Sequence, residues 1–139
     1  MIHKNSDDQR VRRTVWGLRK ERQQLETYLL NTGNQMAVWL SYRYTYCRKG
    51  GCKCTKGRPH GPFYYLSFKG KEGISYRYLP ADKVKGVKPL AESYKNYGKR
   101  LARVNQINKE IDIILRQYQK DRLVPLPLWL KTKKIRKRS

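Results

Sequence analysis

The stretch Met36-Ala-Val-Trp-Leu-Ser-Tyr-Arg-Tyr-Thr-Tyr-Cys47 sets Met36, Val38, Leu40, Tyr42, Tyr44 and Tyr46 on one parity. Ala37, Trp39, Ser41, Arg43 and Thr45 fall on the other. A period of two marks a strand with one buried face, because successive side chains leave a pleated backbone on opposite sides. This strand, bent or split, runs into Cys47-Arg-Lys-Gly-Gly-Cys52-Lys-Cys54-Thr-Lys-Gly-Arg-Pro-His60. Beyond that loop, Pro62 to Lys69 reads as a second strand, Gly70-Lys-Glu-Gly73 as a turn and Ile74 to Leu79 as a third. The last two should form a hairpin, and the sheet should occupy 36–80.

Helices are expected on both sides of this sheet. Over 6–32, Val11, Val15, Leu18, Leu25 and Leu29 recur at helical spacing, interrupted by Arg22; Asp7 and Asp8 suit the N-terminus and Gly33 a left-handed C-cap. Over 88–121, Leu90, Tyr94, Tyr97, Leu101, Val104, Asn108, Ile111, Leu115 and Tyr118 alternate by four and three, as in a heptad seam. Asn108, its one polar member, would cost stability and fix register. An amphipathic helix lying on the sheet of one monomer and an intermolecular coiled coil both fit this pattern. The arrangement we favour is a hairpin in which the first helix runs antiparallel to the second and also covers the apolar sheet face. Val124-Pro-Leu-Pro-Leu-Trp-Leu130 should lie extended, and 131–139 forms a basic tail. The expectation is a single α+β domain over 1–130: two long helices in a coiled-coil-like hairpin and a small three-stranded antiparallel sheet with a zinc-knuckle loop.

All three cysteines of the 139-residue chain lie in the loop 47–60. Cys47, Cys52 and Cys54 with His60 form the thiolate and imidazole set that Zn²⁺ favours in closed tetrahedral structural sites. His60 is the weakest member, although Pro59 and Gly61-Pro62 around it impose a turn that would aim the ring. Reduced free thiols are the main alternative. The spacing of Cys52 and Cys54 is too short for an easy disulfide, and four protein ligands leave no open position for catalysis. A small sheet gains most from such an ion, so the role expected is structural.

The 33 basic residues against 10 acidic ones give a formal charge of +23, and self-repulsion of that size is most easily borne beside a polyanion. Nucleic acid is the expected partner, DNA slightly ahead of RNA. The start of the chain has no apolar signal core, and no run approaches the roughly eighteen apolar residues of a membrane span. A cytoplasmic protein follows, nucleoid-associated if it binds DNA, with no membrane partner. The acids form no paired motif and only two histidines exist, so enzymatic activity is not expected; a hidden tyrosine nucleophile is the rival to test.

Most helix lysines and arginines are expected to be solvated surface charges. The clusters Arg48, Lys49, Lys53, Lys56 and Arg58 in the loop, and Lys133, Lys134, Arg136, Lys137 and Arg138 in the tail, lack compensating acids and suit phosphate contact. If the even positions of the first strand face the helices, Trp39, Arg43, Thr45, Tyr65, Ser67, Lys69, Ser75 and Arg77 share the opposite face. Arg43, Tyr65, Lys69 and Arg77 are its candidate contacts. Such a face suits either the DNA major groove or stacking of single-stranded bases.

The run C-R-K-G-G-C-K-C-T-K-G-R-P-H-G-P-F-Y-Y at 47–65, after Tyr42-Arg43 and before Ser75-Tyr-Arg-Tyr-Leu-Pro80, resembles a family of small uncharacterised prokaryotic proteins. That family has a tyrosine-rich strand, a C-x4-C-x-C-x5-H-G-P-aromatic core, a hairpin and a long C-terminal helix, and the likeness covers about residues 40–120. It implies the same layout, a shared use for Cys47, Cys52, Cys54 and His60, and occurrence in bacteria, archaea and their mobile elements, which is compatible with DNA binding. It implies no activity. The alternatives are an RNA-binding protein, or an accessory subunit that forms a homo-oligomer or holds a partner protein through the long helix.

Overall fold

A computed structural model describes residues 5–46 and 57–131. Helix α1 covers Asn5–Leu30, strands β1, β2 and β3 cover Trp39–Thr45, His60–Gly70 and Gly73–Leu79, helix α2 covers Val84–Lys120, and a short helix α3 covers Leu128–Lys131. The fold class is α+β, with a three-stranded antiparallel sheet of order β1-β2-β3. The chain divides into two compact units, one of residues 1–22 with 105–139 and one of 23–104. Among the described residues no helix is long and apolar enough to cross a membrane.

In the helical unit, antiparallel stretches of α1 and α2 face each other. Asp8 is ion-paired with Arg122 near one end, and at the other Arg22 donates a hydrogen bond of 2.9 Å to Oδ1 of Asn108. Val11, Val15 and Leu18 are half-buried, as are Ile111, Ile114 and Tyr118, around the fully buried Ile107. Polar breaks in both stripes, Arg22 and Asn108, thus meet each other. Arg122 also stacks on the Tyr118 ring at 3.2 Å and donates to the Tyr118 carbonyl. On the solvent side Arg116 donates to Asp112 at 2.8 Å, and this bond, with the carboxylate charge, raises the Arg116 pKa above its ordinary value. The segment expected to be extended instead closes a turn of helix at 128–131, where Pro127 accepts from the Leu130 N–H at 3.0 Å.

The buried face of α2 differs from the expected seam. Ile107 is buried and Ile114 half-buried, whereas Asn108 is exposed, Leu101 is 44% exposed and Leu115 52%. Both frames repeat by three and four, and burial selects the one that encloses two isoleucines in place of Asn108 and Leu115. The cost falls at Arg100, which takes the place of Leu101 on this face. Within the sheet-bearing unit its guanidinium lies over the Tyr28 ring at 3.4 Å, with Nη1 buried and making no hydrogen bond.

Helix α1 ends without a glycine cap. Asn31 donates its side-chain amide to the Thr27 carbonyl at 2.7 Å and its backbone N–H to Tyr28, so Gly33 is not needed in a left-handed conformation and does not adopt one. The chain then crosses to β1, tied by the Met36 N–H donating to the Leu90 carbonyl at 3.1 Å. Among the described residues of this unit, Leu29, Val38, Leu79, Ala91 and Val104 are the buried apolar ones. One sheet face, carrying Leu40, Leu66, Phe68 and Leu79, turns towards α2, and the cleft between them is lined by Leu40, Tyr42 and Tyr64 opposite Lys88, Ala91 and Lys95.

Candidate nucleic-acid interface

Register decides which side chains the other sheet face presents. Residues paired directly across an antiparallel ladder project to the same side. Between β1 and β2, Ser41 pairs with Tyr65 and Arg43 with Phe63, so odd positions meet odd. Between β2 and β3, Tyr65 pairs with Tyr78, Ser67 with Tyr76 and Lys69 with Ile74, so odd positions meet even. The switch follows from the two-residue turn: Gly70 pairs with Gly73 around Lys71 and Glu72, and a two-residue loop always joins positions of opposite parity. Gly73, at φ +118°, has the left-handed conformation that the turn requires.

The outer face therefore holds Ser41, Arg43, Phe63, Tyr65, Ser67, Lys69, Ile74, Tyr76 and Tyr78. Arg77 and Ser75, expected there, belong to the opposite side, paired with Leu66 and Phe68. Arg77 donates to the Tyr76 carbonyl at 3.2 Å along its own strand edge. Trp39 has the outer parity, but its ring meets Tyr94 of α2 edge-on at 5.8 Å, so it leaves the face at the start of β1.

At the middle of the face the Arg43 guanidinium lies 4.2 Å from the Tyr65 ring centroid, and Tyr65 meets Tyr78 edge-on at 5.8 Å. Ser41, Tyr42, Arg43, Tyr65 and Tyr76 line a shallow depression, although the pairing of Tyr42 with Tyr64 gives its side chain the inner parity. Tyr76 is 68% exposed and Tyr78 57%, both on β3, whose other side carries the half-buried Ser75, the exposed Arg77 and the buried Leu79. Sequence parity alone missed these two tyrosines; the loop length between the two glycines was the signal that could have found them.

Near one end of the sheet, Thr45 pairs with His60 after an irregularity in the ladder that follows Arg43. Gly61 makes this possible: at φ +131° its missing Cβ would stand 3.0 Å from both the Arg43 carbonyl oxygen and Tyr44 Cδ1. The chain between Thr45 and His60 therefore leaves and re-enters the sheet at one place. His60 is half-buried and Arg58 exposed. Cys47, Cys52 and Cys54 lie outside the described residues, as do Arg48, Lys49, Lys53, Lys56, Lys133, Lys134, Arg136, Lys137 and Arg138. Among the described residues no three His, Cys, Asp or Glu side chains gather to hold an ion.

A family model described as a domain of unknown function, DUF6788, matches residues 16–89, and the chain belongs to this family. The match takes in most of α1, the whole sheet, the cysteine segment and the start of α2. It begins further towards the N-terminus than the likeness seen in the sequence and stops before most of the long helix. No curated protein and no solved structure matches the chain significantly.

Proposed function

We propose that this is a non-enzymatic, zinc-stabilised nucleic-acid-binding protein, with DNA ahead of RNA as its ligand and mobile elements as a natural setting. One observation carries the reading: an exposed sheet face on which Arg43, stacked on Tyr65, shares the surface with Lys69, Tyr76 and Tyr78. Cations there meet phosphate and ring faces meet bases, while the charge of +23 supplies long-range attraction. Zn²⁺ would be held by Cys47, Cys52, Cys54 and His60. Three thiolates and one imidazole fit it, and the pairing of Thr45 with His60 holds the two ends of the segment side by side. The basic residues of that segment would then act as a phosphate-binding group beside the sheet.

Metal analysis of the purified protein, coupled to sequencing of nucleic acid that copurifies, tests both parts. About one zinc per chain and bound DNA are expected. Metal-free protein devoid of nucleic acid would contradict the reading.

A second reading is favoured by one feature of the helical unit. Trp16 is 59% exposed beside Val11, Val15 and Leu115, which line an apolar groove rimmed by Arg12 and Arg19. That groove suits an accessory subunit whose long helices seat a partner chain or a second copy. Light scattering of wild type and Leu115→Asp distinguishes the self-associating form: an assembly that dissolves in the variant supports it, and a monomer in both removes it.

A further inference from the structure

The observed register orders the outer face into rows that run across the strands. Arg43 stands beside Phe63; next come Ser41, Tyr65 and Tyr78; then Ser67 and Tyr76; then Lys69 and Ile74. Successive rows are two residues apart along each strand, about 7 Å. Aromatic rings appear in three consecutive rows; Lys69 stands at one end, and Arg43, rooted at the other, reaches over Tyr65 in the middle. Relative to the sequence expectation the face has lost Arg77 and gained two exposed tyrosines.

That exchange bears on the form of the ligand. Reading a duplex through the major groove needs donors and acceptors aimed at base edges, with arginine against guanine the commonest specific pair. Paired bases have their faces covered by their neighbours in the stack, so a tyrosine ring finds only edges and methyl groups there. An unpaired strand offers both faces of every base, and flat aromatic side chains at a sheet surface take them up with little regard to sequence. Packing does not explain the rings: Tyr76 and Tyr78 lie on the side opposite Leu66 and Leu79, with more than half of their surface open.

We propose that the outer sheet face binds DNA as an unpaired strand, with bases stacked on Tyr76, on Tyr78 and on the guanidinium plane that Arg43 holds over Tyr65. Lys69 meets the backbone at one end of the rows, and the edge of the Arg43 guanidinium meets it in the middle. This rests on the nucleic-acid reading above and narrows it to single strands.

The test uses the full-length, metal-loaded protein and fluorescence anisotropy with a labelled mixed-sequence DNA strand of about twelve nucleotides, within the range that single-strand binding folds cover. The same strand annealed to its complement, and an RNA strand of the same sequence, are titrated in parallel. The single DNA strand is expected to bind at least about tenfold more tightly than the duplex. Tyr76→Leu with Tyr78→Leu should weaken the single strand about tenfold or more, while Tyr76→Phe with Tyr78→Phe retains it. Duplex affinity and the salt dependence should be the same in all three proteins, because phosphate contacts are untouched.

Equal or tighter duplex binding, or indifference of the single strand to the leucine pair, overturns the proposal and leaves the nucleic-acid reading standing. Binding of no nucleic acid at all removes both. RNA bound as tightly as the DNA strand supports stacking, which does not use the 2′-hydroxyl. RNA bound far more tightly overturns the assignment to DNA. Circular dichroism of each variant identifies a loss of fold, and if the leucine pair unfolds, Tyr76→Leu alone, expected to weaken the single strand and leave the duplex unchanged, takes its place, with unchanged single-strand affinity overturning the proposal.

Discussion

The two faces of the three-stranded sheet spend their large side chains differently. On the inner face Leu79 is buried and Leu40, Leu66 and Phe68 are half-buried towards α2. On the outer face Tyr76 and Tyr78 are more open than closed, and Arg43 covers Tyr65. Burial of an apolar side chain contributes about 1.5–3 kcal/mol, so packing accounts for Leu40, Leu66, Phe68 and Leu79, though not for Tyr42, which is 64% exposed on β1. An exposed tyrosine contributes little to folding and makes a surface adhesive, so the outer face needs a partner to account for it. Stability and binding should therefore be separable by face.

The most damaging way to probe this separation is to remove the ion proposed for the cysteine segment, which serves both faces at once. Chelation should cost on the order of ten kcal/mol if the site is as strong as structural zinc sites in small domains. The sheet signal in circular dichroism and nucleic-acid binding should then disappear together. An unchanged thermal transition after metal is stripped would refute a structural ion.

Next in size is an inner-face truncation. Leu79→Ala should destabilise by about 2–5 kcal/mol, seen as a lower melting temperature, with affinity retained by the fraction still folded. Gly61→Ala should cost about 1–3 kcal/mol, because the new Cβ meets the Arg43 carbonyl at 3.0 Å in a backbone region closed to alanine. Urea denaturation measures it, and a loss as small as that of an exposed Gly→Ala change would mean that the ladder at Arg43 yields easily. Arg43→Ala should remove only about 0.5–1 kcal/mol of stability, from the contact with Tyr65, yet lower both affinity and salt dependence. The smallest stability change belongs to Tyr76→Leu, within about 0.5 kcal/mol. A large drop in melting temperature there would show that the outer face packs against something and would erase the contrast between the faces.

Much of this architecture was legible in the sequence because periodicity reports burial. The alternation through Leu40, Tyr42 and Tyr44 gave β1, the repeat of Val11, Val15 and Leu18 gave α1, and the glycines at 70 and 73 gave the hairpin. What failed were relations between segments. Arg77 was set beside Arg43 by extending one strand's parity across a turn that reverses it. On α2 two frames offset by one residue were nearly equivalent, and the choice between Asn108 and Ile107 depended on what stood opposite. Leu101 would have kept the apolar pattern unbroken; instead Arg100 lies inward, because its aliphatic stem can pack while the guanidinium covers Tyr28. Helix termination at Asn31 was likewise misassigned to Gly33, since a side-chain amide and a glycine are both good stop signals.

Tyr42 and Tyr76 allow the division of labour between the faces to be tested within one molecule. They are 64% and 68% exposed, on opposite sides of the sheet. Iodination of the protein, with and without a saturating single DNA strand, followed by mass spectrometry of tyrosine peptides, compares them directly. Tyr76 and Tyr78 are expected to be protected by the strand while Tyr42 reacts as before. Protection of Tyr42 with Tyr76 and Tyr78 left reactive would place the ligand on the wrong side of the sheet and contradict the outer face as the binding surface.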